Sequence, residues 1–313
     1  MPGSPMKCRS LRCLSPVALL RAMRDAVRRR RCSEPPPPTA HLLGFGFTAY
    51  AGADAGAFLA QTFVVFAANA GLFGGKPNKQ ISAEYKTLVT PAGWAFSIWP
   101  LIYLCELAAV AFINLAPASN RLAAFSAPWL AANALQALWA LAFAHERLFL
   151  AACLLTGIAL ALCDAVRVLA AGGVDGFERL LVLLPVTLHA GWVCAAALVG
   201  WNVALVAQSA PAGLQVSFAF LTLHAALGLA LGSLCVPLGA GASSVAPAPF
   251  ALAIAWALAA IGFEADRQED IRLAWPLRRA LYHTATASSA VIVCATVGAE
   301  VHAWLSVPLR LEA

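Results

Sequence analysis

The sequence predicts an all-α protein, a polytopic membrane bundle of about eight transmembrane helices. Composition is the first reason: of 313 residues 61% are hydrophobic and 12% charged, with a mean hydropathy of +0.77. A soluble domain carries about 25% charged residues, so this chain is built for lipid. The second reason is segmentation into apolar runs, each near the ~20 residues that cross hydrocarbon as helix. The third is that Lys and Arg favour alternate connections between those runs, as in a chain threaded back and forth through a bilayer.

Residues 1–40 come first. Nine basic residues (Lys7, Arg9, Arg12, Arg21, Arg24 and Arg28 to Arg31) stand there against Asp25 within the first 32 positions, and Pro35 to Pro38 close the stretch. The formal net charge of +6 therefore belongs to this leader, because the rest holds 12 basic and 14 acidic residues. Leu11 to Arg31 fits a basic amphipathic helix, and the whole reads as a transit peptide to a chloroplast or mitochondrion. The competing reading is a cytoplasmic tail whose basic patch faces anionic lipid. Neither implies nucleic-acid binding by the body of the protein.

The apolar segments lie at about 50–73, 94–116, 122–144, 148–171, 180–206, 213–236, 247–264 and 280–304. Between the last two, Glu264 to Arg272 is a mixed-charge run that reads as a solvated loop, with Arg278 and Arg279 beyond it. Loops after the first, third, fifth and seventh segments hold eight Lys and Arg; the other loops and the tail hold four when Arg167, near the end of the fourth segment, is counted with its loop. The first set should face the positive side, with the mature N-terminus opposite, which agrees with removal of the leader. The nine cysteines form no Cys-x-x-Cys pair, and six sit singly in apolar segments as small hydrophobes, so neither a disulfide framework nor a metal site is expected.

The second segment carries the densest aromatic signal. Pro91 and Gly93 break the backbone before Trp94, Phe96, Trp99 and Tyr103. Trp and Tyr at a segment's start fit the headgroup belt. Trp99 and Tyr103, four apart, also share one helical face, as a wall for a flat ligand requires. In the third segment Asn133, Gln136, Trp139, Phe143 and Arg147 stand out; buried amides there serve either helix–helix contact or a ligand carboxylate or carbonyl. In the fifth, Pro185, His189, Gly191, Trp192 and Asn202 are notable. An ionisable group within a spanning helix defaults to a functional hypothesis; a neutral His bonded to a neighbouring helix is the alternative. His224 in the sixth segment, beside Gly228 and Gly232, reads as structural, since that small-residue spacing suits close helix packing. Asp54, Glu106, Asp164 and Glu300 fall in or near apolar segments, too far apart in sequence to argue a proton relay.

The run Thr90 to Tyr103 resembles the Trp-x-Phe…Trp-x-x-x-Tyr signature of the tryptophan-rich sensory protein family (TspO/MBR, the translocator proteins), most nearly a longer, divergent branch of it. Its two tryptophans stand one residue closer than in the better-known members. The run 134–151 resembles the family's third helix, with Gln136 where Asn is usual, and 180–202 its fifth, with His189 at a Trp position and Trp192 one turn later. The resemblance covers about 55–207, which divides the chain into a leader (1–40), a five-helix bundle (41–207) and an extension of about three helices (208–313).

What the resemblance implies is binding of a porphyrin or related tetrapyrrole in a cleft between helices, with a role in its transport or in stress sensing, and a possible homodimer. On that reading the site comprises Trp94, Phe96, Trp99, Tyr103, Gln136, Trp139, His189 and Trp192. Lys76, Lys79 and Lys86 in the first loop would meet the propionates, and His189 a propionate or a porphyrin metal. No cofactor is required. The alternative is a secondary transporter of a small solute, for which Pro100, Pro185 and Gly191 supply helix breaks but no internal repeat is seen. An enzyme degrading a bound porphyrin ranks last: there is no Gly-x-Ser-x-Gly, no His-Glu-x-x-His, no phosphate loop and no dinucleotide fingerprint. None of the four tyrosines completes the pattern proposed for cholesterol contact, which lowers sterol as a ligand.

Overall fold

The computed structural model describes residues 47–115, 120–173, 176–235, 248–267 and 275–305. The leader 1–40 and its reading as a transit peptide lie outside them. The described residues form nine helices and no strand: α1 Phe47–Asn69, α2 Asn78–Glu84, α3 Ile98–Leu115, α4 Asn120–Ala144, α5 Leu148–Ala171, α6 Gly176–Ala207, α7 Ala212–Cys235, α8 Ala248–Arg267 and α9 Trp275–Leu305. A 3-10 turn, Gly93–Ser97, leads into α3.

Seven of these helices, α3 to α9, are long and apolar enough to span a bilayer. The first expected segment does form a 23-residue helix, α1, but stands outside those seven. Asp54, Gln61, Thr62 and Asn69 dilute its hydropathy. Asp54 is met by α4, not by lipid: Ser126 Oγ donates to Asp54 Oδ2 at 2.7 Å, and Trp129 Nε1 to the Asp54 carbonyl at 3.3 Å, while Asp54 Oδ1 and Gln61 Oε1 are buried without a partner among the described residues. The protein is an integral, multi-pass membrane protein.

Helix α6 is the axis of the bundle. Some 72% of its most apolar window is buried, against 22% for α9. It packs on α3, α5, α7 and α8, and the buried core runs continuously from Phe58 on α1 to Ile292 on α9. Outward-facing positions are also apolar, for example Leu59, Phe63, Leu104, Leu107, Leu160, Leu221 and Val297. A helix apolar on every side belongs in a membrane, where lipid and protein core are equally oily.

Proline and glycine explain the local departures. Pro100 occupies the first turn of α3, where its missing N–H has no helical partner to lose, so it starts the helix and does not break it. Pro185 follows a π turn at Arg179–Leu183; lacking an N–H, it cannot close the regular helical bond, and the ladder widens by one residue before resuming. Gly191 is no break either. A Cβ there would lie 2.3 Å from the Phe250 carbonyl oxygen, so this glycine lets α6 and α8 touch backbone to backbone. Gly228 and Gly232, expected to pack closely, have nothing within 4 Å of an added Cβ among the described residues.

The loop after α1, the α4–α5 turn and the end of α8 meet on one face, as the charge count predicted for loops one, three and seven. Lys76 N–H donates to the Ala144 carbonyl at 2.8 Å, Ala92 N–H to Ala260 at 3.1 Å, and Lys86 Nζ pairs with Glu264 at 3.3 Å.

Candidate functional site

Three elements deliver the aromatic residues: the 3-10 turn, the first turns of α3 that follow it, and the middle of α6. Phe96 meets Trp192 edge to face at 5.9 Å, Trp192 meets Trp99 at 6.1 Å, and Trp99 stacks on Tyr103 at 5.5 Å. The i, i+4 relation of Trp99 and Tyr103 is the geometric reason for that stack. Tyr103 continues the chain of rings to Phe58 and Phe66 on α1, and Phe58 to Trp129 on α4. Gln136 is buried, and its Nε2 donates to the Tyr103 hydroxyl at 3.3 Å, tying α4 to α3. Asn133 bonds within its own helix, to the Trp129 carbonyl.

At the centre lies a pair the sequence did not join. His189 Nδ1 is 2.6 Å from Glu106 Oε1, with side-chain exposures of 4% and 1%. Glu106 sits about 12 Å along α3 from its start, within the hydrocarbon depth. Each residue alone would be a costly intramembrane ionisable group; together, one supplies the donor and the other the acceptor. His189 stands edge to face with Trp99 at 5.6 Å, so the hydrogen-bonded pair touches the aromatic chain directly. With Nδ1 engaged, Nε2 is the nitrogen left for another group, and it is buried without a hydrogen-bond partner among the described residues. Trp192 Nε1, three residues on and thus on the same face of α6, is also buried without a partner.

Two of the expected residues go elsewhere. Trp94 packs edge to face on Trp256 at 4.7 Å and on Phe263 at 6.0 Å, while Trp256 Nε1 donates to the Ala95 carbonyl at 2.9 Å. Arg267 caps this stack over the Phe263 ring. Trp94 thereby anchors the entry of α3 to the end of α8 at the membrane edge. Trp139 stacks on Phe143 within α4 at 5.5 Å, with its Nε1 buried and unpartnered. The loop lysines are largely committed as well. Lys76 Nζ donates to Glu84 and to Glu146 (2.9 Å), Lys86 is paired with Glu264, and Lys79 is exposed. The Lys76 bonds, chiefly that to Glu84, hold its ammonium above its ordinary value. In return, the bond from Lys76 first, and then that from Gln80 or Tyr85, holds the Glu84 and Glu146 carboxyls below theirs.

A family model described as TSPO-like protein matches residues 53–298. The chain belongs to the TSPO-like protein family. The match runs past the five-helix region of 55–207 through α7 and α8 and most of α9, so the C-terminal helices are part of what defines this TSPO-like chain. No curated protein and no solved structure matches it.

Proposed function

We propose that this TSPO-like membrane protein binds a planar tetrapyrrole, a porphyrin or a relative of one, against the rings of Phe96, Trp99, Tyr103 and Trp192. The observation that carries the reading is the unpartnered acceptor–donor couple beside those rings, His189 Nε2 and Trp192 Nε1. Buried polar atoms in a native protein nearly always have partners, so an acceptor and a donor left open on one helix face are complementary to a ligand's polar edge. The rings supply the apolar, π-stacking surface such a ligand needs. Phe96 is 45% exposed, which gives the wall an outer edge from which a ligand can enter.

On this reading the protein is a binding protein, with transport of the ligand or stress sensing as its use, and not an enzyme. The bundle of 41–207 holds the ligand, 208–313 braces α6 from behind, and the protein works as a homodimer in a chloroplast or mitochondrial membrane. The second reading, a secondary transporter of a small solute, is favoured by one observation: a buried Glu106–His189 pair beside the π turn and Pro185 of α6.

The test is a titration of the full chain in detergent with protoporphyrin, following quenching of tryptophan fluorescence. A Trp99→Leu, Trp192→Leu variant and a Trp139→Leu variant run beside it. Saturable quenching abolished in the first and kept in the second supports the site. Equal quenching in all three overturns it. Concentrative uptake of a solute into proteoliposomes, with no protoporphyrin binding, selects the second reading.

A further inference from the structure

Away from the aromatic site, on the outer surface of the α4–α5 hairpin, lies an open groove of about 570 Å³. Leu138, Leu141, Leu150 and Leu154 form its walls, and His145 and Arg147 stand at its end. Leu138 and Leu150 are about half exposed, so the groove faces the surroundings and not the core. Leu138 lies six positions before the end of α4 at Ala144, and Leu154 six positions after the start of α5 at Leu148. The apolar trough therefore runs about 10 Å down from the turn, the depth of the upper part of an acyl chain.

The cationic end is uncompensated for a structural reason. The turn His145-Glu146-Arg147 places Glu146 at a φ of 58°, and its carboxylate swings to the loop side, where it accepts from Lys76 Nζ and Tyr85 OH at 2.9 Å each. The one acid adjacent in sequence is thus withdrawn from Arg147. Among the described residues the Arg147 side chain has no ion pair or hydrogen bond, and it is exposed at the mouth of the groove. The same face of the bundle carries the loop rich in lysine, where anionic headgroups concentrate.

We infer that this groove holds one anionic phospholipid, its phosphate on Arg147 and His145 and one acyl chain along the four leucines. Charge and lining together select the class: a guanidinium without a protein partner at the headgroup level fits a phosphate on a lipid and not a neutral sterol, and walls of leucine without a Trp, Tyr or Phe offer an acyl chain a bed but a porphyrin no stacking face. This site is independent of the tetrapyrrole reading, since the groove shares no residue with the aromatic wall.

The experiment is native mass spectrometry of the full chain in neutral detergent, titrated with phosphatidylglycerol or with phosphatidylcholine of the same acyl chains. The intact protein is expected to retain the anionic lipid roughly fivefold over the zwitterionic one, the worth of one basic residue at such a surface (about 1 kcal/mol). Arg147→Gln should bring the ratio to about one while leaving the melting temperature unchanged. Leu150→Trp, which fills the trough but keeps the charge, should lower retention of phosphatidylglycerol and serves as the second reading if Arg147→Gln does not fold. Equal retention of both lipids by the unaltered chain, or an unchanged ratio in Arg147→Gln, overturns the inference. Displacement of the lipid by millimolar inorganic phosphate also overturns it, by making this a free-anion site.

Discussion

Gly191→Ala is the sharpest single perturbation of this fold. The added Cβ would meet three backbone atoms of Phe250: the carbonyl oxygen at 2.3 Å, Cα at 2.8 Å and the carbonyl carbon at 2.9 Å. All three belong to the main chain of α8, so no side-chain rotamer can yield. Relief requires α6 and α8 to part by about an ångström, which loosens every contact along a dry seam between the central helix and the extension. Overpacking of this kind costs about 1–3 kcal/mol, and the backbone origin of the clash puts it at the upper end. Gly228→Ala is the internal standard, because among the described residues nothing lies within 4 Å of a Cβ added at that helical glycine. Replacing it should be neutral or stabilise by about 0.5–1 kcal/mol through helix propensity alone. Unfolding of both variants in sodium dodecyl sulfate, followed by tryptophan fluorescence in mixed micelles, reads the difference. Equal stabilities for the two, or a Gly191→Ala protein as stable as the parent, would refute the close approach of α6 and α8.

Two further outcomes are expected. Removing one partner of the intramembrane pair, as in Glu106→Leu or His189→Leu, should destabilise by about 3–5 kcal/mol, while the double replacement should recover much of that loss; simple additivity in the same unfolding assay would show that the two groups do not interact. The loop clamp has an acid limit. Glu84 and Glu146 are held below their ordinary value of 4.5, so their contribution is complete above that pH and disappears as pH falls through the lower folded values. Lys76 is raised above 10.5, so its share is present at neutral pH and fades only at strongly alkaline pH. Limited proteolysis of the 70–92 loop should accordingly stay flat from pH 6 to 9 and rise below about 4, and a rise near pH 6 would contradict the assignment.

Much of this protein was legible in its residues. Hydropathy is additive along a helix, so the runs at 122–144 and 148–171 correspond to helices ending at Ala144 and spanning Leu148–Ala171. The i, i+4 spacing of Trp99 and Tyr103 sufficed to foresee their stacked rings. Alternate connections meet on one face because each spanning helix carries the chain to the opposite side, so the grouping of the first, third and seventh loops follows from the order of the apolar runs. The family signature was likewise carried by local words, Trp94 to Tyr103 among them.

Tertiary structure decided what depends on atoms far apart in the chain. Glu106 and His189 are 83 residues apart and share no periodicity, so only the packing of α3 on α6 could reveal that two isolated ionisable residues are one pair. The fate of Trp94 turned on α8, which reaches it from beyond residue 248 with Trp256 and Phe263. Glycine shows the division most plainly. Gly191 and Gly228 are both helical glycines among small apolar residues, yet one lies against a carbonyl of another helix and the other faces open space. Sequence records which residues permit close approach; only the assembled bundle determines where a second backbone arrives.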